Sequence, residues 1–219
     1  MKLKVCGMKY SDNIEAIASL EPDYLGFIFY DRSPRNFNAE IPVLPDSIKK
    51  VGVFVDSTIS NIVEKVKQFR FKAIQLHGDE SPAYCKELKS SLSELDTTID
   101  LWKVFSIKDE FNFSILEPYE GIVDYFLFDT KGKEKGGNGY TFDWNVLKEY
   151  NSKTPFILSG GIGLDEIEKI QEILKTDLPI HAIDVNSKFE IEPGLKEEIV
   201  LEKFKNQLTL ISRDQKIKL

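Results

Sequence analysis

Eight short, nearly continuous apolar runs recur along the chain, each followed by a more polar stretch, most of them with apolar positions at helical spacing. In order the runs are Leu3–Cys6, Tyr24–Tyr30, Val51–Val55, Ala73–His77, Leu101–Phe105, Tyr125–Asp129, Phe156–Ser159 and Ala182–Val185. Unbroken apolar runs of this length suit strands buried on both faces, as in a parallel sheet covered by helices. Between them, Ser11-Asp12-Asn13 caps a segment carrying Ile14, Ile17, Ala18 and Leu20 on one helical face. Thr58 to Phe69 repeats the arrangement with Ile62, Val63, Val66 and Phe69, and Ser81-Pro82 starts a third helix with proline in its first turn. Asp165 to Leu174 and Lys196 to Leu210 supply the last two. From Asn38 to Ile48, Pro42 and Pro45 interrupt any regular helix, so the second α-segment is expected to be degraded or very short.

Eight such units of roughly 27 residues predict a (β/α)₈ barrel that uses the chain end to end as one domain, residues 1–219. A doubly wound open sheet is built from the same units, but no Gly-x-Gly-x-x-Gly follows the first strand. The barrel also accounts for where polar and reactive residues gather. Cys6-Gly7, Arg32 to Arg35, Asp56, His77-Gly78, Ser106, Asp129-Thr130, Ser159-Gly160-Gly161 and Asn186-Ser187 all stand at strand C-terminal ends, the mouth where such barrels do their chemistry.

Several of these residues are candidates for specific work. Strand alternation puts Lys4 on the same face as Cys6 and one layer deeper. A cation there is expected to favour the thiolate, the form that accepts a proton. Cys85 lies on a helix and reads as a small buried hydrophobe. Asp129 ends an apolar strand above a dry core, where desolvation is expected to help a carboxyl keep a proton for delivery. Arg35 has the fork geometry to hold a substrate carboxylate, whereas Arg32 reads as a solvated surface residue. Ser159-Gly160-Gly161-Ile162-Gly163 and Asn186-Ser187-Lys188 follow the last two strands, whose loops commonly cradle a phosphate with backbone N–H groups. The long glycine-rich stretch Gly136-Gly137-Asn138-Gly139 suits a lid. His77 either lines the pocket or is a satisfied structural histidine. Asp184, on the strand beside the first, either pairs with Lys4 or reaches the substrate. No metal site is expected: the second histidine, His181, lies outside the mouth, and no Cys/His cluster has ligand spacing.

Composition narrows the class. Of 219 residues, 42% are hydrophobic and 30% charged, ordinary for a globular enzyme. The net charge of −7 argues against a nucleic-acid partner, which requires clustered excess Lys and Arg. No apolar run approaches the ~20 residues of a membrane span. Two cysteines and the absence of a signal-peptide pattern after Met1 predict a cytoplasmic protein.

Taken together, the fragments Lys4-Val5-Cys6-Gly7-Met8, Gly26 to Tyr30 with Ser33 to Arg35, Val51 to Val55, Gln75-Leu76-His77-Gly78, Phe128-Asp129-Thr130, Gly136 to Gly139 with Thr141 to Trp144, Leu158 to Gly161 and Asp184 to Ser187 resemble the phosphoribosylanthranilate isomerases of tryptophan biosynthesis. The resemblance runs through nearly the whole chain and implies a cofactor-free Amadori rearrangement of a phosphosugar substrate. It implies Asp129 as general acid, Cys6 as general base, Arg35 on the anthranilate carboxylate, and Gly160, Gly161 and Ser187 around the phosphate; by their place at the mouth, His77 and Asp184 join the candidates for the substrate, and Asn186 and Lys188 those for the phosphate. A histidine-pathway aminoaldose isomerase would call for two carboxylates and a pentose-phosphate epimerase for a metal cluster, and Cys6 with Asp129 suits neither. Two positions depart from the family pattern. Asn186-Ser187-Lys188 replaces the usual Ser-Ser-Gly, so charge at Lys188 stands where the backbone of a glycine would approach the phosphate. Asn138 replaces a usual Ser or Thr.

Overall fold

The computed structural model describes residues 1–108, 110–130 and 141–216. Eight parallel strands form a closed barrel in chain order: β1 (Lys2–Val5), β2 (Tyr24–Phe29), β3 (Lys49–Phe54), β4 (Ala73–Leu76), β5 (Asp100–Ile107), β6 (Tyr125–Thr130), β7 (Phe156–Leu158) and β8 (Ile180–Val185). Closure is made by β8 pairing with β1, Lys4 beside Asp184 and Val5 beside Val185. All eight predicted runs are strands, with ends shifted by up to two residues.

Thr58 and Ser81 cap their helices as predicted, whereas Ser11-Asp12-Asn13 lie inside the first helix, whose N-cap is Tyr10 with no side-chain bond. In α1 (Ser11–Ser19), Ile14, Ile17 and Ala18 are buried against the barrel. In α2 (Ile59–Phe69), Thr58 accepts the Asn61 N–H, and in α3 (Pro82–Leu95), Ser81 accepts the Tyr84 N–H with Pro82 in the first turn. A short 3₁₀ turn, Leu164–Glu166, leads into α4 (Ile167–Ile173), and α5 (Glu198–Lys216) closes the chain. Residues 38–48 form no helix, as Pro42 and Pro45 require. Two further connections also lack an α-helix among the described residues. Phe113–Tyr119, which contains Pro118, and Trp144–Glu149 are 3₁₀ segments held to the barrel by Leu116 and by Trp144 and Leu147. Lys196 was expected in the last helix. It lies instead in a small antiparallel hairpin, β9 (Glu190–Glu192) with β10 (Leu195–Lys196), because Pro193-Gly194 supplies a turn before the helix begins. Among the described residues no helix is long and apolar enough to cross a membrane.

Two apolar layers result. The larger lies between strands and helices. The smaller fills the barrel with Cys6, Tyr24, Val51, Val53, Ala73, Trp102, Val104, Leu127, Ile157 and Ala182. At the end of the barrel opposite the mouth, Trp102 stands edge-on to Tyr24 and Tyr125, with ring centroids 5.1 and 6.0 Å apart. His181 joins this plug through a 2.9 Å hydrogen bond with the Tyr24 hydroxyl and a 4.0 Å ring contact with Tyr125.

Burial, reinforced by the cations of Lys2 and Lys49, holds His181 down at about 4 against an ordinary 6.5. The unfolded chain therefore takes up this proton first, so the contribution to stability is complete above pH 6.5 and is lost as the pH falls toward 4. Denaturant unfolding of wild type and His181→Asn through this window should show a shallower pH slope for the variant. Equal slopes would assign the acid sensitivity to other groups.

Candidate active site

At the C-terminal ends of the strands lies a cleft of about 750 Å³, its open mouth included. Cys6, Arg35, His77, Asp129, Gly160, Gly161, Asp184, Asn186, Ser187 and Lys188 all line it. These are the ten residues singled out from the sequence. Side chains given no role of their own from the sequence complete the wall: Ile28, Val53, Val55 and Ile162 supply apolar surface, and Tyr30, Ser33, Gln75 and Ser159 supply polar groups. Gln75 is buried, and its Oε1 has no partner among the described residues. Strand alternation from His77 was the signal that pointed inward to it.

Cys6 follows β1 directly, its N–H donating to the Val185 carbonyl at 2.9 Å. Gly7 then turns the chain at φ +74°, and a Cβ there would fall 2.7 Å from Asn186 Oδ1 and 2.8 Å from Arg35 Cδ. Beneath Cys6, the fully buried Lys4 donates to Asp184 Oδ1 at 2.8 Å, and Ser159 Oγ donates to Asp184 Oδ2 at 2.9 Å. The absence of a side chain at Gly26 makes this packing possible, since a Cβ there would lie 3.0 Å from Cys6 Sγ and 3.2 Å from Lys4 Cε. Asp184 therefore takes the Lys4 pairing while still lining the cleft.

The expected effect of Lys4 on Cys6 needs correction. Burial pushes the thiol above its ordinary value; Lys4 pulls it down, but Asp184 opposes that pull. Burial likewise disfavours the ammonium of Lys4, yet Asp184 and Cys6 outweigh it and raise Lys4 overall. At neutral pH Cys6 rests as a thiol, because burial outweighs the pull of Lys4, which Asp184 partly offsets. Cys85 is buried in α3, where burial raises it to about 11, in keeping with an inert packing residue.

Asp129 is the penultimate residue of β6, 7% exposed, its Oδ1 accepting the Thr130 N–H at 2.9 Å. His77 lines the cleft, its Nε2 3.4 Å from Asp129 Oδ2. Gly160, at φ +89°, lets the next loop press against this carboxyl: a Cβ there would fall 2.3 Å from Thr130 N and 2.7 Å from Asp129 Oδ1. Arg35 does not present a free fork. Its Nε and Nη2 already hold Glu190, a half-buried residue with a covered side chain that sequence reasoning missed.

Loops seven and eight meet at the cleft, with Lys188 Cβ 3.2 Å from where a Cβ on Gly163 would lie. The Gly163 N–H donates to Glu166 Oε2 at 2.8 Å. Among the described residues, the N–H groups of Gly161, Ile162, Ser187 and Lys188 have no acceptor. Asn186 Oδ1 accepts from Lys196 Nζ at 2.6 Å, so that oxygen is turned to the back of loop eight. Lys188 is exposed at the rim. Among the described residues, no group of three His, Cys, Asp or Glu side chains is arranged to hold a metal ion. The Gly136 to Gly139 stretch lies outside the described residues.

Residues 3–207 match the family described as N-(5'phosphoribosyl)anthranilate (PRA) isomerase. The chain is 40% identical over 208 residues to N-(5'-phosphoribosyl)anthranilate isomerase of Phocaeicola vulgatus, covering 95% of this chain and 98% of that one. It is 42% identical over 215 residues to the enzyme of the same name from Parabacteroides distasonis, covering 95% and 93%. Among solved structures it is similar to the phosphoribosyl anthranilate isomerase from Thermotoga maritima, with 28% identity, a TM-score of 0.80 and coverage of 94% of this chain and 98% of that one. A match over this much of the sequence and a shared closed barrel leave one assignment: the chain belongs to the phosphoribosylanthranilate isomerase family.

Proposed function

We propose that Cys6 and Asp129 are the general base and general acid with which this chain carries out its family's reaction. That reaction is the cofactor-free Amadori rearrangement of N-(5′-phosphoribosyl)anthranilate to 1-(o-carboxyphenylamino)-1-deoxyribulose 5-phosphate in tryptophan biosynthesis. The observation that carries the assignment is the placement of a thiol and a carboxyl, each on a rigid strand end, in the wall of one cleft. Asp129 protonates the furanose ring oxygen as the C1′–O bond breaks and the nitrogen lone pair forms the C=N bond of a Schiff base. The Cys6 thiolate removes the C2′ proton, and the electron pair released gives an enolamine that tautomerises to the ketone.

The rest of the cleft fits the substrate's two anionic ends. Arg35 takes the anthranilate carboxylate along the edge that Glu190 leaves open, and Ile28, Val53, Val55 and Ile162 offer apolar surface to the aromatic ring. The unengaged N–H groups of Gly161, Ile162, Ser187 and Lys188 suit the phosphate. Asp184 acts from below, through Lys4 and Ser159. We read residues 1–219 as one domain working in the cytoplasm, supported by two free buried cysteines of the kind a reducing compartment preserves.

Steady-state kinetics tests the two assignments. Cys6→Ala should abolish turnover while competitive binding of inorganic phosphate persists, and near-normal kcat would remove Cys6 from the base role. Asp129→Asn should lower kcat by roughly two to four orders of magnitude, as loss of a general acid does. Because Cys6 rests as a thiol and a base must be unprotonated, the kcat/KM profile should rise into the alkaline range. Replacing the buried pair together, Lys4→Gln with Asp184→Asn, removes the stronger downward pull on the thiol and should shift that limb to higher pH. A limb that stays in place would belong to another group. Lys188→Gly should change KM only a few-fold, as an exposed charge worth about 0–1 kcal/mol would. A hundredfold change would make Lys188 a principal phosphate ligand.

A further inference from the structure

Arg35 meets the cleft with one edge of its fork already occupied. Nε donates to Glu190 Oε1 and Oε2 at 2.9 and 3.0 Å, and Nη2 donates to Oε2 at 2.6 Å. A guanidinium is planar, so a carboxylate along the Nε–Nη2 edge leaves the Nη1–Nη2 edge available for a second one. Among the described residues Nη1 has no acceptor.

Glu190 is itself fixed from several sides. Its Oε1 accepts from Lys196 Nζ at 2.7 Å and from the Gly194 N–H at 3.0 Å. Burial pushes the Glu190 carboxyl up, but the bonds from Arg35 and Lys196 outweigh it and hold the group below its ordinary value. The ionised carboxylate thus sits between two cations and leaves the corner with a net positive charge, which suits an anionic substrate. Lys196 is 1% exposed and also donates to Asn186 Oδ1 at 2.6 Å. Both charges ride on the β9–β10 hairpin, which Asn13 of α1 pins with two bonds to the Lys196 backbone, at 2.8 and 2.9 Å. Gly7, next to Cys6, packs between Arg35 and Asn186.

We propose that Glu190 is a positioning residue for substrate binding. It grips the back edge of Arg35 and, through Lys196, the side chain of Asn186, so that the carboxylate site and the phosphate loop are held at one separation across the Cys6-Gly7 turn. The proposal rests on Arg35 as the ligand of the substrate carboxylate.

A double-mutant cycle on KM separates the two ideas. Arg35→Ala should raise KM, and Glu190→Gln should raise it about tenfold with kcat nearly unchanged, a split that general destabilisation does not produce. Adding Glu190→Gln to Arg35→Ala should then raise KM by clearly less than the tenfold seen with Arg35 present, because one of the two groups it positions is gone. An unchanged or lowered KM in Glu190→Gln, or additive effects in the double variant, would overturn the positioning role and leave the Arg35 assignment standing. An unchanged KM in Arg35→Ala would overturn both. If Glu190→Gln alone fails to fold because Lys196 is left buried without a counter-charge, Glu190→Gln with Lys196→Met removes both charges and is judged by the same criteria.

Discussion

Lys4 and Asp184 meet at the seam where the first strand closes on the last, and the packing of Cys6 above them and of Ser159 beside them depends on their ion pair. A fully buried ammonium loses several kcal/mol of hydration, which only good geometry and complete hydrogen bonding recover. Here the pair is made at 2.8 Å between neighbours in register, and Ser159 satisfies the second carboxylate oxygen. Removing one partner of such a pair typically costs about 3–5 kcal/mol. Register is at stake as well as stability: sliding β1 by one residue would turn Lys4 toward the helices and carry Cys6 out of the barrel.

Directly above this pair, the mouth is assembled by close backbone approach. Gly7 admits Arg35 and Asn186 beside the Cys6 turn, and Gly160 admits loop seven against Asp129 and Thr130. Cys6 and Asp129 stand at strand ends, whose positions the barrel fixes, while Arg35, Gly161, Ser187 and Lys188 come from loops. Under the proposed roles, this division keeps the proton-transfer geometry rigid and leaves specificity to the loops.

The same burial that orders the site sets its chemistry. Cys6 lies beside a cation and yet stays protonated, since desolvation disfavours the thiolate and Asp184 offsets part of the pull of Lys4. A nearby charge activates a nucleophile or base only to the extent that no other group has neutralised it. Arg35 shows the complementary arrangement: Glu190 occupies one edge of its fork, but Lys196 shares the carboxylate, so the corner remains positive.

The barrel was legible because eight apolar runs separated by capped amphipathic segments have few other ways to bury their surface, and Thr58, Ser81, Pro42 and Pro45 marked where helices begin or cannot form. The ten candidate residues were legible because strand ends at one mouth must converge, and all ten line one cleft. Alternation along single strands likewise put Lys4 beneath Cys6 and Gln75 beside His77. Hidden in the sequence were Glu190, in a stretch given no element, Lys196, on a hairpin where a helix was expected, and the contest between burial, Lys4 and Asp184 over the Cys6 proton. The alternative left open for Asp184 closed only when β8 met β1. Local patterning determines which elements form and which face each residue takes, because those depend on neighbours along the chain. Which charge ends up beside which, and how much water each retains, depends on segments up to 180 positions apart, and only the closed barrel decides that.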